Sequence, residues 1–154
     1  MVILAAALCG SACGGVGPVS VGAQPTGTDV PLVTLAKGAL SAIAERRLVA
    51  VRNQLEWQEL WRAHQGGGQS GAPLPPVDFE KDMVLAMFAG EKGMAGHAIE
   101  IRKLEAAPGE LRVFYAETRP PPGAMVAQMV TQPYHIARSQ RFDGPVTFTP
   151  LTQP

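Results

Sequence analysis

Short apolar segments separated by glycine and proline turns constrain the fold of this chain more than any other feature. Between residues 77 and 138 several such segments follow one another, each of strand length. Runs of this length, bounded by turn residues, predict β-strands rather than helices. Met83–Ala89 is apolar throughout, which predicts a central strand buried on both faces. Val126–Val130 and Tyr134–Arg138 predict strands on either side of Pro133.

Other strand segments lie before, within and after this region. They are Val30–Leu35, Arg47–Arg52, His97–Arg102, Leu111–Glu117 and Val146–Thr149. Many short strands with turn signals between them are typical of sandwiches and barrels. The sequence therefore predicts a mainly β (α+β) fold: an antiparallel β-sandwich or open barrel of about seven short strands.

One helix is predicted between about residues 53 and 65. Asn53 suits the N-cap and Glu56, at N3, completes a capping box, while Gly66 is a stop signal. Four residues at helical spacing share one face: Trp57, Leu60, Trp61 and His64. This face predicts that the helix packs on the sheet rather than standing free.

The balance of charge excludes one class of partner. The chain carries 13 basic and 13 acidic residues, for a formal net charge of zero and a pI near 6.8. Phosphate backbones are bound by clustered Lys and Arg, and no such cluster is present. We therefore expect no nucleic-acid partner.

The N-terminus has the character of an export segment. Val2–Leu8 is an apolar run of signal-peptide length, too short to span a membrane. Gly10–Cys13 resembles a bacterial lipobox, which makes Cys13 the candidate for lipidation. The alternative is a cleaved signal peptide without an anchor. Either way we expect export, to the cell envelope or periplasm or as a secreted protein, with membrane contact only through the lipid.

These features divide the chain into three parts. Residues 1–13 are the export segment, residues 14–29 are a flexible linker rich in glycine and small residues, and residues 30–154 form the β-rich domain.

No arrangement of residues indicates catalysis. The three histidines, His64, His97 and His135, are far apart in sequence, and the domain has no cysteine, so no zinc-ligand spacing is present. Gly68–Gly71 lacks the spacing of a nucleophile elbow. We therefore predict no catalytic site, no metal site and no cofactor.

Two loops are candidates for contact with another protein. The first is the glycine loop, residues 90–97, which contains Gly93, Met94, Ala95, Gly96 and His97. An apolar methionine at the tip of a turn suits an adaptable protein contact, although a plain hairpin is the simpler interpretation. The second is Arg119–Gly123, in which Pro121 and Pro122 form part of a stiff polyproline-like stretch. It is either a rigid connection or one wall of a partner site.

Several motifs together resemble the C-terminal domain of the PrcB family, named for a small subunit of a cell-surface protease complex. They are Val49–Arg52, the Trp57 and Leu60–Trp61 helix, Val77–Val84, Gly90–Lys92 and Thr131–Ile136, within a likeness that runs from Gly38 to Leu151. The chain departs from the family pattern at His97, where Tyr is frequent, and at Ala124–Met125, where many members have Cys.

The resemblance implies a non-enzymatic envelope module that binds another protein, with a peptidase as the candidate partner, as an accessory or inhibitor-like subunit. The alternative hypothesis is a small-ligand-binding or hydrolytic domain with its site between helix and sheet, near His64 or His135.

Overall fold

Strands dominate the computed structural model, which describes residues 27–68 and 71–152. One helix, α1, covers Gln54–His64. The strands are β1 (Thr28–Asp29), β2 (Leu32–Gly38), β3 (Arg46–Val51), β4 (Asp82–Ala89), β5 (Ala98–Ala107), β6 (Glu110–Thr118), β7 (Tyr134–Gln140) and β8 (Val146–Pro150). The prediction of a mainly β fold with one helix is confirmed.

The strands form two sheets of four. The first sheet has the order β1-β5-β6-β8 and the second the order β2-β7-β4-β3. They are separate sheets rather than a closed barrel, consistent with a β-sandwich. Every pair is antiparallel except β6 and β8, which run parallel. This arrangement agrees with the predicted antiparallel sandwich; the one parallel pair arises because β8 follows a separate connection from β7 in the other sheet.

β4 explains why one strand can be apolar throughout. Met83, Leu85 and Met87 face the core between the two sheets, whereas Val84 and Phe88 face the core beneath α1. Side chains of successive strand residues point to opposite faces, so a strand covered on both faces needs no polar residue. The predicted burial of Met83–Ala89 is confirmed.

α1 packs on the outer face of the second sheet. The Asn53 side chain accepts a hydrogen bond from the Glu56 backbone N–H at 2.8 Å, as the predicted N-cap requires. All four residues of the predicted apolar face are buried. Trp57 Nε1 donates to Pro75 O and Trp61 Nε1 donates to Ala72 O, so the loop after the helix satisfies both indoles.

Three local predictions differ from the structure. Val126–Val130 forms no strand, because its backbone has too few hydrogen-bond partners among the described residues. β2 continues through Gly38, beyond the predicted strand end at Leu35, by pairing with β7. β1 occupies Thr28–Asp29, so the first sheet begins inside the predicted linker.

The export segment of residues 1–13, with Cys13, lies outside the described residues, as does most of the predicted linker. In the part of the chain that is described, no helix has the length and hydrophobicity needed to cross a membrane.

Candidate protein-binding surface

Gly90 sets the direction in which the glycine loop leaves β4. Its φ is +78°, and a Cβ built there would lie 3.1 Å from Arg46 N and 3.3 Å from Ala44 O. Both the dihedral angle and the close backbone approach therefore require glycine. The next residue, Glu91, donates its N–H to Ala44 O at 2.8 Å, which fixes the start of the loop beside β3.

The glycine loop lies alongside the segment that leads into β7. Lys92 and Thr131 exchange two backbone hydrogen bonds of 2.8 Å, and Ala95 N donates to Ala127 O at 2.9 Å. The buried Thr131 hydroxyl also donates to Met94 O at 3.2 Å. These bonds hold the main chain at Met94 opposite residues 128–129. The Met94 side chain stays exposed to solvent.

The structure also brings the two predicted contact loops together. Gly96 has a φ of +88°, and a Cβ there would lie 3.3 Å from Pro120 and 3.5 Å from Val126. Farther along, Ala124 N donates to Pro121 O, with Pro122 and the positive-φ Gly123 between them. Pro followed by Gly at these positions is typical of a type II turn. Pro121 and Pro122 are exposed in this turn, and His97 is half-buried.

Apolar side chains project into solvent from this pair of loops. We call Met94, Met125, Met129 and Val130 the methionine surface; they are 37%, 103%, 46% and 50% exposed. The chain has no charged residue from Pro120 to Ala137, so nothing on this segment offsets the apolar character. Exposed apolar groups that lie together are candidates for protein contact, and methionine adapts to varied partners.

The same segment leaves backbone groups without protein partners. Among the described residues, Met125, Val126 and residues 128–130 take part in no backbone–backbone hydrogen bond. Exposed N–H and C=O groups beside apolar side chains are what an incoming extended segment pairs with. The surface therefore offers both hydrophobic and hydrogen-bonding contacts.

His135, which the alternative hypothesis placed near a ligand site, is instead a link between the two sheets. It is buried on β7; its Nδ1 accepts from the Ile101 N–H of β5 at 2.8 Å, and its Nε2 lies 2.9 Å from the Thr34 hydroxyl of β2. Because Nδ1 accepts, the neutral ring carries its proton on Nε2 and donates to Thr34. Both ring nitrogens are thus occupied.

His64 is also held by the surrounding structure, through one ring nitrogen. It is buried at the end of α1, and its Nδ1 lies 2.9 Å from the Ser41 hydroxyl, which itself accepts from Ile43 N–H. The imidazole also lies 4.3 Å, between ring centroids, from Tyr134. These contacts tie the segment before β3 to the helix, so the His64 ring has a structural role.

The two buried histidines predict loss of stability in mild acid. Burial lowers the pKa of His64 and of His135 below the ordinary 6.5, and nearby Lys37 adds to the effect on His135. Between the folded-state pKa values and 6.5, the unfolded chain binds more protons than the folded chain. The free energy of unfolding therefore has its full value above pH 6.5 and falls as the pH drops through the folded-state pKa values.

Urea melts should therefore give a lower free energy of unfolding at about pH 5.5 than at about pH 7.5. The double variant His64→Gln/His135→Gln is the comparison, and its stability should change less over this interval. An equal decline in the variant would show that other groups cause the loss.

No group of three or more His, Cys, Asp or Glu side chains in residues 27–68 and 71–152 is arranged to hold a metal ion. Arg46, the first residue of β3, pairs with Glu117 and donates to the Tyr115 hydroxyl. Hydrogen bonding to the carboxylate of Glu117 raises the pKa of Arg46, so the guanidinium stays charged within this ion pair.

Sequence reasoning identified Met94 and the prolines but missed Met125, Met129 and Val130. It assigned Val126–Val130 to a strand, in which every second side chain would have been buried. The uncharged stretch from Pro120 to Ala137 was the available signal. The role of Thr131 had no such signal, because only the tertiary pairing places its hydroxyl on Met94 O.

Comparison with known families agrees with the resemblance seen in the motifs. Residues 83–139 match the family model described as PrcB C-terminal. The matched region runs from β4 into β7 and contains both contact loops and the whole methionine surface. The resemblance is confirmed over this region. Searches of curated proteins and of solved structures found no match.

Proposed function

We infer from the PrcB C-terminal match over residues 83–139 that the chain is a module associated with a protease complex. In this proposal the domain is non-enzymatic and binds another exported or envelope protein, a peptidase-complex component, as an accessory or inhibitor-like subunit. Cys13 would anchor it to the membrane through lipid. The methionine surface is the contact.

One observation carries the proposal: the exposed apolar side chains and the unpaired backbone groups lie on the same segment. Apolar groups supply association energy in proportion to the area that they bury, and unpaired amides supply directional bonds. Met125, which is fully exposed, gains the most from being covered.

The test is site-specific photo-cross-linking in intact cells. A photoreactive residue at Met125 should cross-link one protein with peptidase character, whereas the same residue at the exposed Leu55 of α1 should not. In a pull-down of that protein, Met125→Lys/Met129→Lys should weaken capture by about tenfold or more, because binding would bury two unpaired charges.

Leu55→Lys is the matched control, since it also places a charge on an exposed apolar position and should leave capture unchanged. Both variants should melt like the parent. Equal capture by the parent and the methionine variant would contradict the proposed contact surface.

A further inference from the structure

A groove separates α1 from the strand at the end of the second sheet. Val49 and Val51 of β3 line one side, Leu60 and Ala63 of α1 line the other, and the volume is about 460 Å³. We call this the helix–strand groove. Val51 and Leu60 are buried at its base, Val49 is half-buried and Ala63 is exposed at its rim. Its base is therefore apolar, its rim is charged, and its size is within the range of ligand sites.

β3 forms one wall of this groove and is also a sheet edge. It stands last in the order β2-β7-β4-β3 and pairs only with β4, from Arg46↔Ala89 to Val51↔Val84. In an antiparallel pair every second residue directs its N–H and C=O away from the neighbouring strand. Within the described residues, none of residues 46–51 makes a backbone hydrogen bond outside the strand pairing. The outer edge of β3 is therefore open to pairing.

The rim of the groove carries charges of both signs. Glu56 and Glu59 lie on the α1 side, and Arg47 lies at the β3 side. None of the three forms an ion pair with any described residue, and all are exposed. Two carboxylates three residues apart on a helix share one face, so they present a local negative charge along the groove.

We propose that the helix–strand groove binds an extended peptide segment of another protein, which adds a strand to β3 and places basic side chains against Glu56 and Glu59. Alternate apolar side chains of that segment enter the groove between Val49 and Leu60. β3 is about 20 Å long at strand rise, so the segment needs about six residues. This is recognition by strand addition: main-chain bonds give affinity, and side-chain pockets with flanking charges give specificity.

Charge complementarity distinguishes this occupant from the chain's own N-terminal region. Residues 1–36 contain no Lys or Arg, so that region supplies no cation for Glu56 and Glu59. The groove is also separate from the methionine surface. None of the residues that line the groove belongs to that surface. The proposal therefore does not depend on the function inferred above.

The test uses a random library of displayed short peptides, selected on the purified domain. We expect the enriched peptides to alternate apolar with Lys or Arg. Synthetic copies of them should bind about tenfold more weakly to Glu56→Gln/Glu59→Gln, because exposed ion pairs each contribute modestly. Glu45→Gln/Glu80→Gln removes the same charge from exposed positions outside the groove and should bind like the parent.

A second arm tests strand addition without altering the protein. N-methylation of alternate peptide residues removes backbone donors and retains every side chain, so methylation on the pairing edge should abolish binding. Methylation of the opposite edge should have little effect. Met125→Lys/Met129→Lys should bind these peptides like the parent, which separates a failure of this proposal from a failure of the proposed function.

Three outcomes would overturn the proposal. The first is selection that enriches no peptide above the bare support. The second is enriched peptides that bind Glu56→Gln/Glu59→Gln undiminished or tolerate methylation on both edges. The third is a dimer, measured by sedimentation, that becomes a monomer when Ala63→Trp is introduced at the groove rim. The occupant of the groove would then be a second copy of the chain.

Discussion

Replacing Trp57 by Ala should lower the free energy of unfolding by about 3–5 kcal/mol, a cost typical of deleting a buried aromatic side chain. Trp57 is fully buried between α1 and the second sheet, where its ring lies 5.2 Å, between centroids, from that of Trp61. The substitution leaves a cavity and removes the hydrogen bond to Pro75 O at 3.0 Å. Urea melts followed by far-UV circular dichroism measure the change.

Leu55→Ala is the control on the same helix, because Leu55 is 66% exposed. Its effect should be within about 0.5 kcal/mol. The loss of stability for Trp57→Phe should lie between the losses for Trp57→Ala and Leu55→Ala, because phenylalanine retains much of the apolar volume but lacks the indole N–H. A loss below about 1 kcal/mol for Trp57→Ala would mean that α1 does not depend on this contact.

Replacing Gly90 by Val should lower the free energy of unfolding by about 2–6 kcal/mol. A positive φ in a non-glycine residue costs about 1–3 kcal/mol, and forcing a side chain into occupied space costs a further ~1–3 kcal/mol. At Gly90 the φ is +78° and the atoms in the way are backbone atoms of residues 44–46, which cannot rotate aside as a side chain can. Thermal or urea melts of the variant measure the loss.

Gly93→Val is the matched control in the same loop. A Cβ there would meet nothing within 4 Å, and no positive φ is recorded for Gly93. Its stability should therefore change by less than about 0.5 kcal/mol. Equal effects at the two glycines would show that the loop, rather than the backbone packing at Gly90, determines the cost.

The elements that sequence reasoning predicted well are those whose pattern is local. The α1 cap at Asn53 and the buried face from Trp57 to His64 depend on spacing within a few residues. The uninterrupted apolar run of β4 indicates burial on both faces without reference to any neighbour.

The errors occurred where pairing decides the outcome. Val126–Val130 has the composition of a strand, but among the described residues only Ala127 O of that stretch accepts a backbone bond, from Ala95 N, so no ladder forms. Pairing also decides that β8 lies beside β6, a strand far from it in the chain. The composition of a strand does not determine which other strand will lie beside it in the sheet.

The order of the residues by itself predicts a β-rich domain with one capped helix. It also indicates two loops suited to contact with another protein. Tertiary structure alone decided that those loops share one surface, that His135 joins the two sheets, and that β3 lies at an open edge beside α1. The physical reason is distance along the chain. Capping and apolar periodicity act over one or two turns, whereas the Thr131–Met94 and His135–Ile101 hydrogen bonds join residues more than thirty positions apart.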